Sequence, residues 1–288
     1  MTLPETFESI RPSIVAFISK MVPGRAGSKP LFPPVFGTGF FVDSRGIVLT
    51  NRHVVDVFNQ IPKNPITKRS AAAAIVFLPA QTKIGYEVMG TVFADVRNWW
   101  VAEGFWSKSE WYGEDDPDLA FVQLDVTDTP SVQIADRPGI LKAGLSIATA
   151  GFPLGDVPMT MFNKVTQIGP LLRRGIVSSV FPFAGALPHG FTLDVMIQGG
   201  ASGSPVFLED EPVVVGMIGA SLTDDRGANT NISIGLPGHV IAAALKTFTE
   251  AVAIEIGGVP TLRSMVPADF DMHTSISWDE YTIVPPTE

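Results

Sequence analysis

Glycine and proline recur at short intervals along this chain, 27 and 24 of them, and divide it into runs too short for long helices. Between the breaks lie stretches rich in valine, isoleucine, phenylalanine and threonine: residues 13–18, 39–42, 47–50, 74–78, 119–124, 146–150, 192–197 and 213–218. β-branched and aromatic side chains suit a pleated, half-buried surface, and many short strands with regular turn signals predict an all-β sandwich or barrel. Helical periodicity is confined to two places. Residues 6–11 fit a short opening helix; residues 237–252 read as a helix with Val240, Leu245 and Phe248 among its apolar positions and Pro237 in its first turn.

The 288 residues allow one large domain or two small ones, and 45% hydrophobic against 17% charged residues is enough apolar material for a packed core. A net charge of −9 without any Lys/Arg block leaves no footprint for phosphate-backbone binding, so no nucleic-acid partner is expected. The absence of cysteine removes disulfide scaffolds, zinc–thiolate sites and cysteine nucleophiles together, and fits a reducing compartment. The first twenty residues lack a basic segment followed by an apolar one. The longest apolar run, residues 71–78, falls far short of the ~18 residues of a membrane span. A cytoplasmic protein without a membrane segment is the expectation.

Three segments carry chemistry-bearing residues beside strand signals. Residues 47–50 lead into Thr50-Asn51-Arg52 and a lone His53. Asp118 abuts the alternating run 119–124, with Asp115 and Asp116 as close rivals. Gln198-Gly199-Gly200-Ala201-Ser202-Gly203-Ser204-Pro205 is a glycine-rich bend with a serine at its tip. A serine hydroxyl needs a neighbouring base to become a nucleophile, and imidazole can take and return the proton near neutral pH. A carboxylate fixes the imidazole tautomer and stabilises the imidazolium. Glycines before the serine let backbone N–H groups face a developing oxyanion. The order His, Asp, Ser is one of the known chain orders for this geometry.

At these residues the chain resembles the trypsin-like serine peptidases, in particular the cysteine-free bacterial HtrA (Deg) branch, over residues 9–247. The resemblance is carried by Arg11-Pro12-Ser13-Ile14-Val15, by Gly37-Thr38-Gly39-Phe40 with Leu49 to Val55, and by Asp118-Leu119-Ala120-Phe121-Val122. In the second half it is carried by Ala150 to Gly155, Arg174 to Ser179, the serine bend, and Ile232 to Pro237 followed by a helix. It implies two six-stranded antiparallel β-barrels, with a C-terminal helix and an extended tail. The expected divisions are residues 9–130 for a barrel carrying His and Asp, 131–250 for a barrel carrying Ser and the closing helix, and 251–288 for the tail.

By that resemblance His53 is the general base, Asp118 its orienting partner, Ser202 the nucleophile, and the Gly200 and Ser202 N–H groups the oxyanion donors. Asp194, eight residues before the serine, matches another family aspartate and stays outside the triad. Met196 and Ile197 are placed on one wall of the primary specificity pocket and Gly219, Ala220 and Ser221 on another. No carboxylate lies at the pocket base, and Ile218 stands about where glutamyl endopeptidases carry histidine. The expected preference is therefore for small or medium apolar side chains at the cleaved position (P1), in protein or peptide substrates. Ala201 replaces the aspartate that pairs with a newly cut N-terminus in digestive relatives, so activation by that cleavage is not expected. Ser204 replaces the second glycine of the serine motif, a known variant in the glutamyl endopeptidases. Too few residues follow position 250 for a PDZ domain, which leaves a regulatory protein partner as an open expectation.

The competing readings are a latent or inactive scaffold of this fold that binds peptides or partners, and a small-ester hydrolase using the same triad. Four of the five tryptophans fall in residues 98–113, which read as a long loop over its own hydrophobic cluster. His189 reads as a turn residue, His239 as exposed in the helix's first turn, and His273 as part of the tail. No metal-ligand spacing or cofactor motif is present, and residues 24–29 read as a turn rather than a phosphate loop.

Overall fold

The computed structural model describes residues 1–23, 33–63, 68, 70–81, 87–102, 116–153, 169–182, 185–223, 229–265 and 282–284. Helix α1 (Leu3–Ile10) runs through a single 3₁₀ turn into strand β1 (Ile14–Ser19), followed by β2 (Met21–Pro23), β3 (Val35–Asp43) and β4 (Ile47–Thr50). A short helix α2 (Arg52–Phe58) precedes β5 (Ala72–Gln81), β6 (Glu87–Val101) and β7 (Ala120–Leu124). The second half contains β8 (Gln133–Ile134), β9 (Ser146–Gly151), β10 (Leu171–Phe181), β11 (Gly190–Leu193), β12 (Pro205–Leu208), β13 (Val213–Thr223) and β14 (Asn229–Pro237). Helix α3 (Gly238–Ala251) closes it, and β15 (Thr282–Val284) lies near the end.

The first barrel is closed in the order β1-β3-β4-β7-β6-β5, all neighbours antiparallel. The second runs β12-β9-β10-β11-β14-β13 and closes through the β12–β13 pairing, which makes the second six-stranded ring. Strand β8 is an addition, pairing in parallel with β13 outside the ring. Closure pairs the strands of each ring on both sides and leaves unpaired only stretches that run past a neighbour, as β13 does beyond Met217 on its β12 side. β4 and β7 are buried along their whole length.

The two barrels share a core. Phe40 and Phe121 from the first, Ala150, Phe152 and Phe207 from the second, and Phe248 from α3 belong to one buried cluster. Phe121 stacks on Phe248 with centroids 4.2 Å apart, and Phe77 on Phe152 at 5.6 Å. Such pairs contribute about 0.5–1.5 kcal/mol each beyond their burial and lock the barrels' relative placement.

Several expectations change. The tryptophan-rich segment does not begin as a loop: Trp99 and Trp100 lie on β6. Trp99 packs edge-on against Phe58, with centroids 5.5 Å apart, and Trp100 against Phe248 at 5.2 Å. Trp106 and Trp111, the turn at residues 24–29, Asp115 and His273 lie outside the described residues. α3 begins after Pro237, which is its N-cap rather than a first-turn residue. His239 is half-buried, not exposed, and burial followed by the neighbouring His189 holds its pKa below the usual value. The tail returns to the first barrel: Leu262 is buried there, its N–H donates to Thr127 O at 2.7 Å, and β15 pairs in parallel with β2. No helix among the described residues is long and apolar enough to cross a membrane, and no cluster among them could hold a metal ion.

Candidate active site

Strand register brings the first two residues together. In the β4–β7 pair, Thr50 lies opposite Ala120, so the chain leaving β4 runs beside the residues entering β7. Asn51 caps α2 with extended backbone, and His53 occupies the helix's first turn. Val54, Val55 and Phe58 bury the opposite face of α2. Gly37 permits this packing, since a Cβ there would lie 2.4 Å from Val54 Cγ1. The half-exposed His53 ring points its Nδ1 at Asp118 Oδ2, 2.7 Å away. The His53 backbone N–H donates to Asp118 Oδ1 at 3.1 Å, and Asn51 Nδ2 donates to the Asp118 carbonyl at 2.9 Å. Asp118 is thus the carboxylate on the histidine, while its rival Asp116 is exposed.

An ionised carboxylate only accepts, so the proton at this contact sits on Nδ1 and Nε2 keeps its lone pair as a base. The hydrogen bond to Asp118 raises the His53 pKa above 6.5; partial burial opposes this, and the charges of Asp118 and Asp56 reinforce it.

The serine bend is two consecutive turns. Ala201 N–H donates to Gln198 O at 3.1 Å with Gly200 at φ +92°, and Ser204 N–H to Ala201 O at 3.0 Å with Gly203 at φ +86°. Gly203 cannot be replaced easily, because a Cβ there would lie 2.0 Å from Thr38 O. The bend is fixed to the first barrel by Thr38 N–H donating to Ser202 O at 2.9 Å, and to β13 by Gly203 N–H donating to Ile218 O at 3.0 Å. Ser204 is buried and donates its hydroxyl to Ala201 O at 2.6 Å. Gly151 makes room for it, since a Cβ there would sit 2.0 Å from Ser204 Oγ. Neither Gly200 N–H nor Ser202 N–H enters a backbone hydrogen bond, and no hydrogen bond joins Ser202 Oγ to His53, among the described residues.

Asp194 is structural: its Oδ1 accepts the Ile176 N–H at 2.6 Å and ties β10 to the segment before the serine. Met196 and Ile197 line a small cavity with Thr149, Ala201, Ser204 and Ile218. Gly219, Ala220 and Ser221 lie on β13 beside it, and Ser221 Oγ donates to Ile197 O at 2.7 Å, joining the two segments. Thr38, Thr50 and Asn51 went unassigned in the sequence although all three are fully buried polar residues at strand positions or ends. Hydroxyls and amides inside apolar strands are the signal that marks them.

Comparisons with known proteins bear on the fold. Among curated proteins none matches the chain. Among solved structures, the HtrA-type protease AlgW with a decapeptide superposes with a TM-score of 0.51 at 17% identity, over 87% of this chain and 68% of that one. AlgW with a tripeptide gives 0.50 at 16% identity, over 87% and 64%. Deg5 gives 0.49 at 17% identity, over 90% and 95%. At these identities the likeness is one of fold. A family model, the trypsin-like peptidase domain, matches residues 37–217, more than half of the sequence. With two closed barrels and that match over both of them, the chain belongs to the trypsin-like peptidase family.

Proposed function

We propose that this protein is a serine endopeptidase that cleaves peptide bonds through an acyl-enzyme on Ser202. The observation that carries the reading is the 2.7 Å contact between His53 Nδ1 and Asp118, which leaves Nε2 as a base. In this reading His53 takes the Ser202 proton as the hydroxyl attacks the scissile carbonyl, then returns it to the leaving amine. The unengaged N–H groups of Gly200 and Ser202 receive the oxyanion. Residues 219–221 supply an edge for the substrate backbone. β12 pairs with β13 only up to Met217, whereas β14 covers the other side as far as Thr223. An extended peptide can add to that edge as a strand. AlgW, the HtrA-type protease with this fold, is described with bound peptides.

In this reading the preferred P1 residues are small or medium apolar side chains. No carboxylate lines the cavity at Met196 and Ile197, Arg173, which also lines it, donates to the Met196 carbonyl, and Ser221 spans from β13 to the Ile197 carbonyl. A panel of peptides differing only at P1 tests the reading. Faster cleavage after Ala, Val or Leu than after Arg or Glu is expected, and the reverse order would contradict it. Ser221→Gly removes the hydroxyl bridge and widens the entrance. It is expected to raise kcat/KM for a P1 Phe peptide about tenfold relative to P1 Ala, within the range that apolar pockets discriminate.

The pH profile is a further check. Because the hydrogen bond to Asp118 raises the His53 pKa, the imidazole is half deprotonated only at a pH above the ordinary imidazole value of 6.5. kcat/KM is expected to rise through a single midpoint above that value. A midpoint below it would show that His53 is not the titrating base.

The absence of a Ser202–His53 hydrogen bond favours one alternative: a latent protease fold that binds peptides or partners and needs a ligand to close the pair. Binding of the peptide panel without turnover would support it.

A further inference from the structure

The hydrogen bonds around the serine bend can be assigned peptide by peptide. The 202–203 peptide is held at both ends, its carbonyl by Thr38 N–H at 2.9 Å and its N–H by Ile218 O at 3.0 Å. The 201–202 peptide is held at its carbonyl, which accepts from Ser204 N–H at 3.0 Å and from Ser204 Oγ at 2.6 Å; the Ser202 N–H is left unspent. The 200–201 peptide is held at its N–H by Gln198 O at 3.1 Å, and at its carbonyl by the Thr38 hydroxyl at 2.6 Å.

That hydroxyl has a second contact: Phe152 N–H donates to it at 3.2 Å. An amide N–H can only donate, so the hydroxyl accepts there and gives its single proton to Gly200 O. Thr38 is fully buried, and its carbonyl accepts from Thr50 Oγ1 at 2.7 Å, so its position follows β3 and β4. Gly200 itself follows Gly199, and two consecutive glycines leave the backbone free to rotate. Holding the Gly200 carbonyl from outside the bend fixes the 200–201 peptide and with it the Gly200 Cα.

We propose that Thr38 is a positioning residue of the peptidase site: its hydroxyl, carried by the first barrel, clamps the Gly200 carbonyl of the second, fixes the 200–201 peptide, and so anchors the Gly200 Cα next to which the N–H oxyanion donor is placed. This rests on the peptidase reading above. The Thr38 side chain touches no reacting atom. Its effect is on the transition state, through the placement of the Gly200 backbone that bears one donor.

Two substitutions separate this role from packing. Thr38→Val removes the hydroxyl and keeps the shape; Thr38→Ser keeps the hydroxyl and removes a methyl. The measurements are kcat and KM on a peptide substrate, affinity for a peptide aldehyde that forms a tetrahedral adduct, affinity for the matching unreactive peptide, and Tm. Thr38→Val is expected to lower kcat and aldehyde affinity by about 10–100-fold, a large part of the effect of losing one oxyanion donor. KM and affinity for the unreactive peptide should stay within about twofold, since binding common to ground and transition states is untouched. Thr38→Ser should retain wild-type kcat even where its Tm falls.

A Thr38→Val protein with wild-type kcat and aldehyde affinity would overturn the inference, whatever its Tm. So would a Thr38→Ser protein as impaired as Thr38→Val. Should Thr38→Val not fold, Thr38→Ala against Thr38→Ser gives the same comparison, differing only in the hydroxyl. If wild-type protein neither turns over substrate nor captures the aldehyde, the peptidase reading fails and this inference falls with it. If wild type is active and the variants match it, only the role of Thr38 falls.

Discussion

Ser202→Ala is expected to lower kcat by about a millionfold while KM changes little, because the nucleophile, base and orienting carboxylate act as one unit. The bend should survive. Its contacts to the first barrel and to β13 run through the Ser202 carbonyl and the Gly203 N–H, and neither uses the Ser202 hydroxyl. Residual catalysis of about 10³–10⁴ over water should remain, supplied by the oxyanion donors and substrate binding. The check is kcat and KM on a peptide substrate together with Tm for wild type and variant. A folded Ser202→Ala protein retaining more than about one per cent of wild-type kcat would place the nucleophile elsewhere.

Asp118→Asn is expected to cost about 10⁴ in kcat with the fold intact. The substitution is nearly isosteric, and the Asn51 side chain holds the backbone carbonyl of residue 118 rather than its carboxylate. The loss is chemical. Asn presents an N–H where Asp118 Oδ2 now accepts from His53 Nδ1, so the ring is driven to carry its proton on Nε2 and cannot act as base. The hydrogen bond that contributes most to the raised His53 pKa also disappears, so the pH midpoint should move down. Asp116→Asn makes the control. Asp116 is exposed, and kcat should stay within about threefold of wild type.

The residues proposed to carry this chemistry could be singled out in the sequence because each lies near a strand signal. The run 47–50 leads through Asn51 and Arg52 to His53, the run 119–124 begins after Asp118, and the glycine bend carries Ser202 into β12. The barrels were legible through the short β-branched runs and the family resemblance. What escaped were features set by distant pairing. Thr38 reads as one more residue of a Gly-Thr-Gly strand until β3 is laid against a bend 162 positions later. Trp99 and Trp100 read as loop residues because their cluster is rich in aromatics and close to glycine. They are strand residues through the β6–β7 ladder, where Trp99 lies opposite Val122 and Trp100 opposite Phe121, and their ring partners Phe58 and Phe248 lie far away along the chain. β8 is two residues long and exists through its parallel pairing with β13, a signal too short for periodicity to register.

The most direct test of the central claim is covalent. Purified protein is reacted with a fluorophosphonate probe and the adduct located by mass spectrometry, with His53→Ala and Ser202→Ala proteins treated alongside. The account predicts one adduct on Ser202 in wild type and none in Ser202→Ala. It also predicts labelling slowed by orders of magnitude in His53→Ala, since a serine without its base is a poor nucleophile. Labelling of Ser202 that proceeds equally well without His53, or no labelling of well-folded wild-type protein, would contradict it.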